Sequence, residues 1–211
     1  MLSRTRTVVT SAFFGALAAV MAIAPLSFPF PLVPYLKFDL AEIPTMISLI
    51  LLGPLPGILT SLVYWIVLNF FGSFAPIGPF LKFLAVLSTI VGAWIGTAIC
   101  RKMKSRLLTY IVTILVLSAI VRVVVLTLAN YFVIWVLMPD FLMPDFLSYA
   151  TFAVSLVTGI KLSPDFGGLL VVLLLTAVFN ILHVFLTVVP SFALAIALVK
   201  RKIIKTWFPL S

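Results

Sequence analysis

Asn180 and His183 stand three positions apart in the run F-N-I-L-H (179–183), so on a helix they share one face. Asn130 and Tyr131 open N-Y-F (130–132) in another apolar run, and Tyr64, Trp65 and Asn69 close a third. Lys82 follows G-P-F-L, and Lys37, Asp39 and Glu42 are crowded into P-Y-L-K-F-D-L-A-E-I-P (34–44). An amide in an apolar medium needs a partner, so Asn130 and Asn180 are expected to point inward, toward neighbouring helices or toward a bound polar ligand. Amides that read an edge, with rings that stack on faces, suit a flat hydrogen-bonding molecule. Interhelical hydrogen bonding alone is the competing reading of each amide, a satisfied buried histidine that of His183, and an interfacial belt that of the aromatics. Arg122, eight residues before Asn130 and about 12 Å deeper, has no evident carboxylate partner; an anionic group, a partner subunit or backbone carbonyls could receive it.

The elements that carry these residues are set by the solvent they require. Of the 211 residues 64% are hydrophobic and 9% charged, and the mean hydropathy is +1.35. No soluble domain of this size has interior enough for that much apolar surface. The apolar runs are unbroken and about 20 residues long, the length that crosses ~30 Å of hydrocarbon as a helix, without the alternation of a membrane barrel. The class is therefore all-α, a polytopic integral membrane protein with six transmembrane helices in a single membrane domain over 1–211. The spans fall near 8–25, 40–53, 56–72, 80–100, 107–135 and 167–199, and G-P-L-P-G (53–57) makes a tight turn between the second and third. Arg4 and Arg6 before an apolar stretch ending A-I-A (22–24) resemble a secretory leader, but Pro25 blocks cleavage there and the span is expected to be retained.

Charge orients the chain. Arg4, Arg6, Arg101, Lys102, Lys104, Arg106, Lys200, Arg201, Lys202 and Lys205 gather at the tails and between spans four and five, which puts both termini in the cytoplasm of a multi-pass cell-membrane protein. Asp39, Glu42, Asp140, Asp145 and Asp165 then lie outside with Lys37, Lys82 and Lys161. The net charge of +9 is explained by topology and anionic lipid headgroups, with no nucleic acid partner. Asp39 is placed to cap the second helix, with Glu42 three residues on as in a capping box.

Several functions are disfavoured. The sequence lacks G-x-x-x-x-G-K-[ST], H-E-x-x-H and G-x-S-x-G. The lone Cys100 makes no disulfide or CxxC motif, and the lone His183 has no neighbour with which to hold a metal. An acid/base set of Asp39, Glu42 and His183 would suit a small intramembrane enzyme on a lipid-soluble substrate, but His183 is expected well below the two carboxylates. A purely structural membrane subunit is the third reading. Ser11, Ala12, Gly15, Ala16, Ala19 and Ala22 give the first span a small-residue face that another helix could approach.

Together Y-L-K-F-D-L-A-E-I-P-T-M-I-S (35–48), L-G-P-L-P-G-I (52–58), N-Y-F and F-N-I-L-H resemble the substrate-binding S components of energy-coupling factor (ECF) vitamin transporters, most closely the riboflavin-binding branch. The resemblance runs from the first span to the sixth. It implies a six-helix subunit without an ATPase or a cofactor of its own, which captures a vitamin from outside and docks on a T component carrying two ABC-type ATPases. It also implies ligand contacts by Asn130, Asn180 and His183. Tyr35, Leu36, Lys37, Phe38 and Asp39 would form a lid with the 136–165 segment, and Tyr64, Trp65, Lys82 and Tyr131 would lie about the pocket. Ala12, Gly15, Ala16 and Ala19 would be the docking face. Tyr64 and Trp65 stand where the riboflavin branch carries Lys-Asn, Lys82 where it has an amide, and His183 where it has a lysine. Another vitamin or a flavin nucleotide is accordingly the alternative ligand, since two cations placed near a pocket, with Arg122 besides, would suit a carboxylate or phosphate.

Overall fold

The computed structural model describes residues 4–24, 26–72, 74–103, 106–137, 151–152, 154–156, 159, 161, 166–201 and 207–208. The chain is mostly helical. Helix α1 (Arg4–Ile23) is followed by a hairpin of β1 (Ser27–Phe30) and β2 (Val33–Asp39), then α2 (Glu42–Leu52), α3 (Pro54–Phe71), α4 (Ile77–Met103), α5 (Leu107–Tyr131) and α6 (Phe166–Lys200). Helices α3 to α6 are each long and apolar enough to cross a membrane, whereas α1 and α2 carry shorter apolar stretches. The Asp140 and Asp145 positions and most of the 136–165 lid segment lie outside the described residues.

The helices close a ring in which α2 packs on α3, α3 on α4, α4 on α5, α5 on α6 and α6 back on α2, while α1 lies against α2 and α3. The outward faces remain apolar: Val9, Phe13, Phe70, Leu108, Leu128 and Leu174 are each more than half exposed, a surface suited to lipid. The interior is held by small residues and by polar groups returned to their own helices. Ser88 Oγ donates to Leu84 O at 2.7 Å and Thr97 Oγ1 to Ala93 O at 2.7 Å, so neither hydroxyl is stranded in the α4–α5 seam. Cys100 is buried in the same seam. At Gly92 the two backbones nearly touch, because a Cβ there would sit 2.5 Å from Ser118 Cα and 2.6 Å from Leu117 O. Backbone cannot yield as a side chain can, so Gly92→Val is expected to destabilise the protein by about 1–3 kcal/mol, read as a lowered melting temperature in detergent.

Helix α2 rises only roughly 16 Å, about half the hydrocarbon thickness, before Gly53 turns the chain. Gly53 holds φ 107°, where glycine alone is unstrained, and Pro54 begins α3 at a position that needs no N–H. The open C-terminus of α2 is covered by the tail, where Trp207 N donates to Leu51 O at 3.1 Å and Phe208 N to Ile50 O at 3.3 Å. Phe208 is buried between Tyr110 and Phe192, and the Arg101 guanidinium lies 4.3 Å from the Trp207 ring centroid.

Four expectations about local structure are corrected here. The segment between the first two spans is a β-hairpin, so the described chain is not all-α. Its strands pair Ser27 with Asp39, Phe28 with Phe38 and Pro29 with Lys37, and the register then jumps to Phe30 with Val33, leaving residues 34–36 as a bulge. Helix α5 ends at Tyr131 and continues as a π-helical turn (Phe132–Leu137). Helix α2 begins at Glu42 with Ala41 at the cap and no side-chain cap; Asp39 Oδ1 instead accepts from Ala41 N at 3.0 Å. Of the α1 stripe, Ser11, Gly15 and Ala19 are turned inward, while Ala12 and Ala16 are exposed. A Cβ on Gly15 would lie 2.6 Å from Val63 Cβ, so that part of the stripe already receives α3.

Candidate functional site

At the end of the ring that carries the hairpin, a cavity of about 770 Å³ opens between the hairpin, the α3–α4 connection and helices α4, α5 and α6. Its apolar wall includes Leu68, Phe71, Phe74, Leu126 and Phe179. Tyr35 and Leu36, both in the bulge of β2, reach it from above, together with Lys37 and Asp39. The extra length of β2 thus turns consecutive residues toward one space where a regular strand would alternate them. Burial pushes the Tyr35 phenol up to about 12, so its hydroxyl stays neutral.

The deep side of the cavity is polar. Arg122 and Glu42, both 1% exposed, form a bidentate pair with Nη1–Oε2 at 2.6 Å and Nη2–Oε1 at 3.0 Å. Lys82 Nζ bridges Glu42 Oε1 at 2.8 Å and Asp39 Oδ2 at 2.7 Å. Two cations therefore meet two anions, and the cluster is neutral in sum. Further hydrogen bonds tie the cluster to its surroundings: Arg122 Nε donates to Asn180 Oδ1 at 2.8 Å, Nη1 to Thr89 Oγ1 at 3.2 Å, and Thr187 Oγ1 to Glu42 Oε2 at 3.3 Å. Charges this deep are tolerable only when paired and hydrogen-bonded.

Of the twelve residues that the resemblance implies at the ligand, in the lid or about the pocket, Tyr35, Leu36, Lys37, Asp39, Tyr64, Lys82, Asn130 and Asn180 line the cavity. Four do not. Trp65 is one helical step around from Tyr64 and stacks on Phe83 outside the cavity, centroids 5.4 Å apart. Tyr131 is likewise rotated away from Asn130 and is 42% exposed. Phe38 points to the back of the hairpin, where its ring meets Phe179 at 4.6 Å and His183 at 5.6 Å. His183 lies beneath that ring, with Nε2 3.2 Å from Asp39 O and 3.4 Å from Glu42 Oε1.

Three expectations change as a result. Arg122 does have a carboxylate partner, and Glu42 is not an exposed cap. His183 does not sit well below the carboxylates, because the first three turns of α6 run beside the hairpin and bring its middle level with the start of α2. Lys82 and Arg122 are not spare cations awaiting an anion, since each already faces a carboxylate. Phe179 also lines the cavity, and its place one position before Asn180 in F-N-I-L-H is the only sign of it in the sequence. Among the described residues no group of three His, Cys, Asp or Glu side chains could hold a metal.

This arrangement, an apolar and aromatic enclosure with amides at its edge and a self-neutralised polar floor, binds rather than transforms. Glu42 is held by two cations and is not free to act as a base. The comparisons agree. The family model "ECF transporter, substrate-specific component" matches residues 6–189. The riboflavin transporter RibU of Staphylococcus aureus (strain TCH60) is 31% identical over 133 residues, which is 63% of this chain and 67% of that one. The solved S component of a bacterial ECF transporter superposes with a TM-score of 0.69 at 25% identity, covering 95% of this chain and 99% of that chain. These relatives are transporter components, not enzymes. The chain belongs to the family of ECF transporter substrate-specific components and is a multi-pass membrane protein.

Proposed function

We propose that the protein captures riboflavin, or a flavin close to it, in the cavity beneath the hairpin and delivers it inward. The observation that carries this reading is the cavity itself. Its volume is within the ~300–1,000 Å³ of pockets that enclose a small molecule, and its lining joins Phe71, Phe74 and Phe179 to the amides of Asn130 and Asn180. An uncharged ring system with polar edges matches a floor whose charges cancel. A phosphate would have to compete with Asp39 and Glu42 for Lys82 and Arg122, which disfavours a flavin nucleotide.

In this reading the chain crosses the membrane six times, with α1 and α2 included and both termini cytoplasmic. The basic residues Arg101, Lys102, Arg106, Lys200 and Arg201 gather at the end opposite the hairpin, which supports that orientation. Energy comes from partner subunits, a T component and two ABC-type ATPases. Ala12 and Ala16 on the exposed side of α1 offer the T component a close approach, and Gly15 and Ala19 act by holding α1 on α3.

Titration of the purified protein with riboflavin in detergent tests the ligand. Flavin fluorescence is expected to be quenched to a stoichiometric endpoint at nanomolar concentrations. Binding to thiamin, biotin, folate or pantothenate in place of riboflavin would overturn the choice of vitamin, and binding to none of them would overturn vitamin capture.

A further inference from the structure

Arg122 can only donate hydrogen bonds. Its Nε faces the side chain of Asn180, so the amide atom presented to it at 2.8 Å must be Oδ1. Across the same amide, Nδ2 donates to Thr176 O, one turn back along α6, at 2.9 Å. Reversing the amide would set an N–H against the guanidinium and an oxygen against a carbonyl, two repulsions in a site where Asn180 is 3% exposed. The guanidinium in turn is immobilised by both oxygens of Glu42. The amide nitrogen has two hydrogens, and only one is used by Thr176. For Asn130, on the other side of the cavity, Nδ2 returns to Leu126 O at 2.8 Å, and among the described residues no guanidinium holds its oxygen.

We propose that Arg122 is a positioning residue for ligand selectivity: held by Glu42, it locks the Asn180 amide so that the cavity is offered the remaining N–H, and the ligand must bring an acceptor to it. A ring carbonyl satisfies that requirement, and an amino group in its place leaves two donors facing each other. The inference rests on the cavity being the flavin site.

Two variants separate orientation from charge. Arg122→Lys keeps a cation opposite Glu42 but removes the Nε–H that fixes the amide, and the E42Q/R122M pair removes one charge of each sign. Each is titrated with riboflavin and with two analogues in which one or the other pyrimidine-ring carbonyl is replaced by an amino group. The wild-type protein is expected to reject at least one analogue by about 10- to 100-fold relative to riboflavin. In both variants that ratio collapses to within about threefold, because the amide is free to turn. A ratio that stays at its wild-type value while all affinities fall together would mean that Arg122 serves structure alone, and would overturn the proposal. A readout that needs no ligand accompanies the titrations. In protein labelled with 15N asparagine, hydrogen exchange at the Asn180 side-chain amide should be at least about tenfold faster in Arg122→Lys than in the wild type. Equal exchange overturns the lock even if no flavin binds, and protected exchange without flavin binding leaves the lock standing and removes only riboflavin as the ligand.

Discussion

Replacing Glu42 by glutamine is expected to destabilise the protein by about 3–5 kcal/mol, the largest loss of any single change in the charge cluster. The reason is which charge is left behind. In Glu42→Gln, Lys82 keeps Asp39 at 2.7 Å, but Arg122 retains only neutral oxygens, those of Thr89, Asn180 and the new amide, while 1% exposed. In Arg122→Met the orphan is Glu42, which still has Lys82 at 2.8 Å, so the cost is smaller. In Lys82→Met the bidentate Arg122–Glu42 pair survives and the unpaired group is Asp39, whose side chain is 14% exposed and nearest to water. The order of melting temperatures in detergent should therefore be Lys82→Met highest, Arg122→Met next and Glu42→Gln lowest. The E42Q/R122M pair should melt above Glu42→Gln alone, because it restores a neutral floor with the Lys82–Asp39 bridge intact. A double variant less stable than either single one would show that the hydrogen bonds, rather than the charge balance, hold this floor together.

The same cluster explains where the sequence was and was not readable. The apolar runs, the G-P-L-P-G turn and the helical class follow from composition and punctuation, which act locally. Tyr35, Lys37, Asp39 and the two asparagines could be singled out because polar groups in an apolar chain need a reason. Their partners could not be, because Glu42 and Arg122 are 80 residues apart and meet only once the ring of α2, α5 and α6 has closed. Topology by charge places Glu42, near a span end, on the outer face, whereas a carboxylate paired with Arg122 can lie buried. His183 was misjudged through the offset of α6, whose start gives no local sign that it overhangs α2. Prolines at 29, 31 and 34 concealed the hairpin, and a two-stranded ribbon has little stability of its own. It persists because Phe30, Val33 and Phe38 pack with Phe179 into an apolar cluster separate from the main core.

That separate cluster makes Phe38 the anchor of the hairpin. In Phe38→Ala the rings of Phe28, Phe30, Phe179 and His183 lose their shared neighbour, and removal of a buried phenylalanine costs about 3–5 kcal/mol when the site cannot collapse. The main core, which runs through Leu49, Ile90, Ile114 and Val188, does not include Phe38, so the loss falls on the hairpin rather than on the bundle. A hairpin held less firmly opens more often, and with about half of that loss, ~1.4–2.8 kcal/mol, falling on its opening at about 1.4 kcal/mol per tenfold in rate, the flavin proposed above should leave about 10- to 100-fold faster than from the wild type. Stopped-flow recovery of flavin fluorescence on dilution or chase measures this directly. Phe28→Ala is the internal comparison: Phe28 meets the Phe38 ring at 5.3 Å but is 51% exposed, so its effect on the off-rate should be several times smaller. An unchanged off-rate in Phe38→Ala would mean that the hairpin does not cover the bound ligand. A melting temperature lowered as far as in Glu42→Gln would mean that the aromatic cluster supports the helices themselves.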